Sequence, residues 1–221
     1  MINIHLLSSF SKLCYTILGM KKKIVMGDIM KVRFWLTFLL LCTLILSACG
    51  KKEIKNAVNW PIQDFSATTQ AGKPFKVKDL KGKVWISDFI FTSCVDICPP
   101  MTANMKKLQQ KVKDAGLKNV ELVSFSVDPT VDTPKKLTAF ANQYQIDFKN
   151  WTFLTGYSQS FIENFALKNY KALVKKPEEG NQVIHGTSIY LVDQDGNIKK
   201  SYNGFKEVPY DEIIKDIQAL Q

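Results

Sequence analysis

Three hydrophobic patterns run along this chain. Phe34 to Leu46 is almost entirely apolar, 13 residues inside a stretch, 34–48, that carries no charge. Val84 to Phe91 is a shorter run, apolar but for Ser87 and Asp88, as a strand buried on both faces of a parallel sheet requires, and Val120 to Val127 is the next buried strand. Elsewhere apolar positions follow helical spacing. Met101, Met105, Leu108 and Val112 share one face of a helix that Pro99 opens and Gly116 ends. Leu137, Phe140, Ala141 and Tyr144 share another, with Thr133-Pro134 as its N-cap and first residue. Ser158 to about Tyr170 is also predicted helical, and Pro209 starts a last helix carrying Ile213, Ile214, Ile217 and Leu220.

The remaining elements are short. Phe65-Ser-Ala-Thr and Pro74-Phe-Lys-Val flank Gln70-Ala-Gly-Lys, the pattern of a hairpin. Trp151 to Leu154 is a short strand. Thr187–Val192 and Ile198–Tyr202 are strands joined by the turn Asp193-Gln-Asp-Gly-Asn197. Lys171 to Ile184 is polar, holds Pro177 and Gly180, and reads as a long surface loop. The order is strand, helix, strand, helix, then a strand pair and a helix. That is the thioredoxin-like α/β arrangement: a central mixed sheet flanked by helices, here with an N-terminal β-hairpin.

Composition narrows the class. The 221 residues are 46% hydrophobic and 23% charged, which is globular and excludes a disordered tail, a collagen-like repeat or a polytopic membrane protein. Lys31 and Arg33 precede the first apolar run, and Leu46-Ser47-Ala48-Cys49-Gly50 closes it: a charged start, an apolar core and small residues, as in a secretory signal. At about 1.5 Å per residue the run is short for a hydrocarbon core of roughly 30 Å, so a spanning helix is the weaker reading. Leu-Ser-Ala-Cys resembles the lipobox of bacterial lipoproteins, which implies lipidation of Cys49 and an extracytoplasmic protein held on the cell membrane. The alternative is an uncleaved N-terminal anchor. Met30 is the expected start rather than Met1, because it gives a signal of ordinary length. The expected organisation is then an extension plus signal over 1–48, a tether over 49–59 and one domain over 60–221.

The 173 residues from Cys49 onward carry 24 lysines, 19 acids and no arginine. Nucleic-acid sites favour the planar fork of arginine, so nucleic-acid binding is discounted. A scattered lysine excess suits solubility near an anionic membrane. A monomer is expected.

Candidate chemistry concentrates in Phe91-Thr-Ser-Cys94-Val-Asp-Ile-Cys98-Pro99, between the first buried strand and its helix. In an open α/β sheet, sites form at that end of the strand. Cys98 stands at the helix start, where free amides and the dipole favour a thiolate. The CxxxC spacing is close to one helical turn, so both sulfurs can face one point. A structural disulfide is the plain alternative, though so short a loop stabilises little. His185 is the only histidine after His5, and it precedes a strand expected to lie beside the first one. Two thiolates and an imidazole suit copper as Cu(I) or Cu(II), with zinc the weaker alternative.

Together these motifs resemble the Sco/SenC family of copper-binding thioredoxin-like proteins over about residues 60–220. The resemblance rests on Asp88-Phe-Ile-Phe-Thr-Ser-Cys94 with Cys98-Pro99, on Ser126-Val-Asp128-Pro with Asp132-Thr-Pro134, and on His185 ahead of Tyr190-Leu-Val-Asp193. It implies Cys94, Cys98 and His185 as copper ligands. It implies a role in assembling the dinuclear copper centre of cytochrome c oxidase subunit II, and the anchor would suit a Gram-positive bacterium. Asp128 and Asp132 belong to an acidic loop near the family's site, as supporting or partner-contact residues; turn chemistry explains them equally well. Asp88 is either a buried carboxylate that tunes the thiols or one satisfied by a lysine. Met101 and Met105, spaced for a helix, are expected in the core, with Trp85 and Phe91.

Three competing functions follow. A thiol–disulfide reductase would use Cys94 and Cys98 without the histidine, but Val183 to Ile189 lacks the proline that thioredoxins carry there. A peroxidase of the peroxiredoxin kind needs a threonine where Phe91 stands, and an arginine. A copper or redox sensor is the third. Lys171–Ile184 is a candidate hinge that would let His185 leave during transfer.

Overall fold

The computed structural model describes residues 31, 33–37, 53–180 and 182–221. The chain forms two compact units, Met1–Lys52 and Glu53–Gln221. In the first, the described residues are helical, and the Thr37 hydroxyl donates to the carbonyls of Arg33 and Phe34. No helix among the described residues is long and apolar enough to cross a membrane. Cys49 and residues 38–48 of the expected signal lie outside the described residues.

The second unit is a mixed α/β layer structure of thioredoxin type. Its strands are β1 Trp60–Pro61, β2 Ser66–Thr69, β3 Pro74–Lys76, β4 Val84–Ile90, β5 Val120–Ser126, β6 Trp151–Thr155, β7 Val174–Lys175, β8 Ile184–His185, β9 Ser188–Val192 and β10 Asn197–Asn203. Eight form one sheet in the order β1-β10-β9-β4-β5-β6-β2-β3, while β7 and β8 make a separate ribbon. The helices are α1 Cys98–Asp114, α2 Pro134–Gln143, α3 Gln159–Phe165 and α4 Tyr210–Ala219.

Strand β4 is central, parallel to β5 and antiparallel to β9, and all seven of its residues are buried. Its alternation splits the core. Trp85 and Phe89 face one side with Phe65, Phe125, Phe165 and Tyr190; Ile86 and Ile90 face the other with Leu108, Leu137, Ile213 and Ile217. Helices α1, α2 and α4 therefore cover one face of the sheet and α3 covers the other.

The helix ends match their sequence signals. Thr133 caps α2 by accepting from the amide of Lys136 at 3.3 Å. Gly116 ends α1 at φ +66°, a left-handed position that glycine occupies without strain. The hairpin is β2 with β3.

Two segments depart from expectation. The polar run before Trp60 is not all tether: Ile54 is buried with Val84 and Leu108, and the Val58 amide donates to the Lys199 carbonyl at 2.8 Å. A single apolar residue in a lysine-rich run carries no period, yet it is sufficient to seat the chain. Lys171 to Ile184 is not a plain surface loop either. Ala172, Val174 and Val183 are buried, and Val174 pairs with His185 across the β7–β8 ribbon. Before it, α3 runs on into a wider π-type turn, Ala166–Tyr170. This sets the Tyr170 ring 4.9 Å from that of Tyr190, with the Ser87 hydroxyl donating to the Tyr170 oxygen.

Candidate metal centre

Cys94, Cys98 and His185 converge where the chain leaves β4. Their ligand atoms all lie within 4.8 Å of one another. Cys98 is 0% exposed, Cys94 8% and His185 9%, and both cysteines are free thiols. The disulfide alternative is therefore not the state of this structure.

The helix start explains the thiol geometry. Cys98 is the first residue of α1, and Pro99 and Pro100 follow it. Prolines have no N–H, so two of the free amides of the first turn are absent. The remaining Cys98 amide donates to Cys94 Sγ at 3.3 Å. The helix N-terminus thus serves Cys94, contrary to the expectation that Cys98 would be the favoured thiolate. A hydrogen bond from the Cys98 side chain holds Cys94 down to about 3 against the effect of burial, with His185 and the amides of Cys98 and Asp96 assisting. The same contact, then burial, pushes the Cys98 thiol far up. The contact thus favours the thiolate on Cys94 and the proton on Cys98.

His185 arrives on β8. Its Nδ1 lies 2.9 Å from the Gly186 carbonyl, which can only accept, so Nδ1 carries the proton. Nε2 is then the ring nitrogen that faces the thiols, 3.3 Å from Cys98 Sγ. Phe91 packs edge-on against the imidazole at 5.7 Å, so this core residue also fixes the ring. A thiolate, a thiol and an oriented imidazole form a soft donor set, which fits a copper site.

The acidic residues separate into three roles. Asp132 is fully buried and accepts from the Thr92 hydroxyl at 2.6 Å, the Thr92 amide at 3.2 Å and the Ser126 hydroxyl at 2.6 Å. It ties the cysteine loop to the end of β5. Asp128 pairs instead with Lys176 at 2.6 Å. Asp88 points into the core beside Ser124, whose hydroxyl donates to Oδ1 at 2.6 Å and accepts from the Trp151 indole at 2.9 Å. No lysine satisfies it, and Oδ2 has no hydrogen-bond partner among the described residues. Burial pushes its carboxyl up to about 6. Met101 and Met105 are fully buried, Met105 in the same cluster as Leu108 and Ile86. Sequence reasoning missed Lys176, one charge in a polar stretch with nothing to mark it, and Thr92, whose partner lies 40 residues away.

The chain is similar to known proteins in sequence and in fold. The SCO1/SenC family description matches residues 56–221. A SCO1/SenC family lipoprotein from Bacillus anthracis is 51% identical, with 76% of this chain and 99% of that one covered and a TM-score of 0.73. BsSco, a member of the Sco family of cytochrome c oxidase assembly proteins in which a disulfide switch was identified, is 52% identical, covering 76% and 98%, with a TM-score of 0.71. Arabidopsis thaliana ScoI with copper bound is 29% identical, covering 71% and 94%, with a TM-score of 0.60. By fold, motif and match over most of its length, the chain belongs to the SCO1/SenC family.

Proposed function

We propose that this chain is a copper-binding assembly factor for the dinuclear copper centre of cytochrome c oxidase subunit II. Copper is its cargo, held by Cys94, Cys98 and His185. The observation that carries this reading is the convergence of those three donor atoms within 4.8 Å. The copper-bound relative from Arabidopsis and the oxidase-assembly family of BsSco support it. Transfer proceeds by exchange of one ligand at a time with a partner site of similar donors. Loading must displace the Cys98 proton, so affinity falls in acid. Val95, 74% exposed beside Cys94, and Ile184, 55% exposed beside His185, give the site an apolar rim suited to a protein partner. A lipid on Cys49, made from a precursor starting at Met30, holds the protein on the extracytoplasmic face of the cell membrane. The Bacillus anthracis lipoprotein supports this anchor. Zinc is the alternative metal, and the protein acts as a monomer.

A second reading, thiol–disulfide reductase, is favoured by one observation: the Cys98 amide donates to Cys94 Sγ at 3.3 Å, a contact that favours a thiolate there. The Cys94 thiolate would attack a subunit II disulfide. Cys98 would then resolve the mixed disulfide, leaving Cys94–Cys98 oxidised and the substrate thiols reduced. The two roles are compatible.

The test is titration of the full chain in detergent with Cu(I) and with Cu(II), alongside Cys94→Ser, Cys98→Ser and His185→Ala, read by absorption and EPR. Stoichiometric Cu(II) binding is expected, with a thiolate charge-transfer band lost in each cysteine variant and altered in His185→Ala. Weak binding indifferent to His185, with efficient reduction of a subunit II disulfide, would assign the reductase role instead.

A further inference from the structure

We propose that Lys176 is the positioning residue that holds His185 over the thiols, through an ion pair with Asp128. Lys176 directly follows β7, and β7 pairs with the strand that ends in His185. Its ammonium lies 2.6 Å from Asp128 Oδ1 and 3.0 Å from the Thr130 hydroxyl oxygen, and that hydroxyl donates to the same carboxylate oxygen. Asp128 is only 2% exposed, so this is a largely desolvated pair rather than a surface contact. The Lys176 amide donates to Glu163 on α3 at 3.0 Å. On the other arm of the ribbon, the Gln182 side chain donates to the Ser93 carbonyl, next to Cys94, at 3.2 Å.

The Lys176 contact also joins the two halves of the site. The Asp128 amide donates to the Ser126 hydroxyl oxygen, that hydroxyl donates to Asp132, and Asp132 holds Thr92 in the cysteine loop. One hydrogen-bonded path thus links the ribbon carrying His185 to the loop carrying Cys94. Cys98 has no exposed surface, so nothing from solution reaches its sulfur unless ribbon or loop moves. The exposed Leu173 and Ile184 leave the ribbon little apolar anchorage beyond Ala172, Val174 and Val183. Replacing Lys176 leaves Asp128 buried and unpaired and frees the ribbon, so opening becomes easier there and not elsewhere. The inference deepens the metal-site reading, but its first readout needs no metal.

The test uses the full chain, reduced and metal-free, as wild type, Lys176→Met, Lys176→Arg and Lys83→Met. Lys83 pairs with Glu121 at 2.9 Å near the starts of β4 and β5 and serves as a control ion pair. Alkylation of Cys98, located by mass spectrometry, is expected to speed up about tenfold in Lys176→Met. Amide exchange should rise over 172–186 alone. Lys176→Arg should restore both, and Lys83→Met should change neither. With Cu(II) added, Lys176→Met should alter the EPR nitrogen signature of His185, and Lys176→Arg should recover it. Unchanged Cys98 alkylation in Lys176→Met overturns the inference. So does faster exchange spread evenly over the domain, which marks a general stability effect. Success of the metal-free measurements with no copper bound to the wild type would sustain the latch and sink the metal-site reading.

Discussion

The amide of Cys98 donates to the sulfur of Cys94 across 3.3 Å, so the helix that begins at one cysteine stabilises charge on the other. With Pro99 and Pro100 removing the next two amides, the first turn has one donor to give. That assignment decides which thiol meets a reagent first. In the reduced protein, Cys94 is expected to be alkylated at least about tenfold faster than Cys98, because it combines thiolate character with some exposure. Peptide mapping after brief iodoacetamide treatment measures the ratio. Equal rates, or Cys98 leading, would reverse the assignment.

Asp132 has three donors aimed at it and no solvent to replace it. Asp132→Ala strands the Thr92 amide and hydroxyl and the Ser126 hydroxyl, and is expected to cost about 2–4 kcal/mol. Because Thr92 is two residues before Cys94, copper affinity should fall as well. Urea unfolding and a copper competition assay measure the two effects. A stability loss with affinity intact would make Asp132 a fold residue only.

Most of this architecture is written in local pattern. The largely apolar run of β4, the Thr133 cap and the Gly116 stop each predict the element found. The metal-capable trio was legible because residues 53–221 hold only Cys94, Cys98 and His185 of their kinds, so that their placement carries weight. What was not legible depends on distant partners. The β7–β8 ribbon has two-residue strands, too short for a period, and pairs Val174 with His185 eleven positions later. Lys176 looks like any lysine until the fold sets Asp128 beside it, and the bias toward a Cys94 thiolate follows from where the Cys98 side chain and amide point.

Ligand binding to the folded state alone must raise stability by mass action. At a free copper concentration about a hundredfold above Kd, the gain is expected to be about 2.7 kcal/mol. His185→Ala and Cys98→Ser should lose most of it. Thermal melts at fixed buffered copper check this, and addition of a chelator should return the wild type to its metal-free midpoint. An equal gain in the His185→Ala variant would place the copper elsewhere.

Asp88 carries a charge cost that pH should reveal. Burial moves its carboxyl from an ordinary 3.8 to about 6, and Ser124 compensates only in part. Between those values the folded chain binds more protons than the unfolded one, so stability falls as pH rises through that window and is level above it. The size of this fall is about 3 kcal/mol, taking 1.36 kcal/mol for each tenfold change in proton affinity. Asp88→Asn keeps the shape and cannot ionise, so its curve should lack that fall. The comparison is therefore a difference: the stability of Asp88→Asn minus that of wild type should grow by about 2–3 kcal/mol from about pH 4 to about pH 7. An amide at this position brings its own unpaired donor, which shifts the difference by a constant and leaves its slope untouched. Urea unfolding of metal-free protein across that range measures it. A difference that does not vary with pH would mean that Asp88 ionises in the fold as easily as in the unfolded chain, and that the unpartnered Oδ2 is solvated after all.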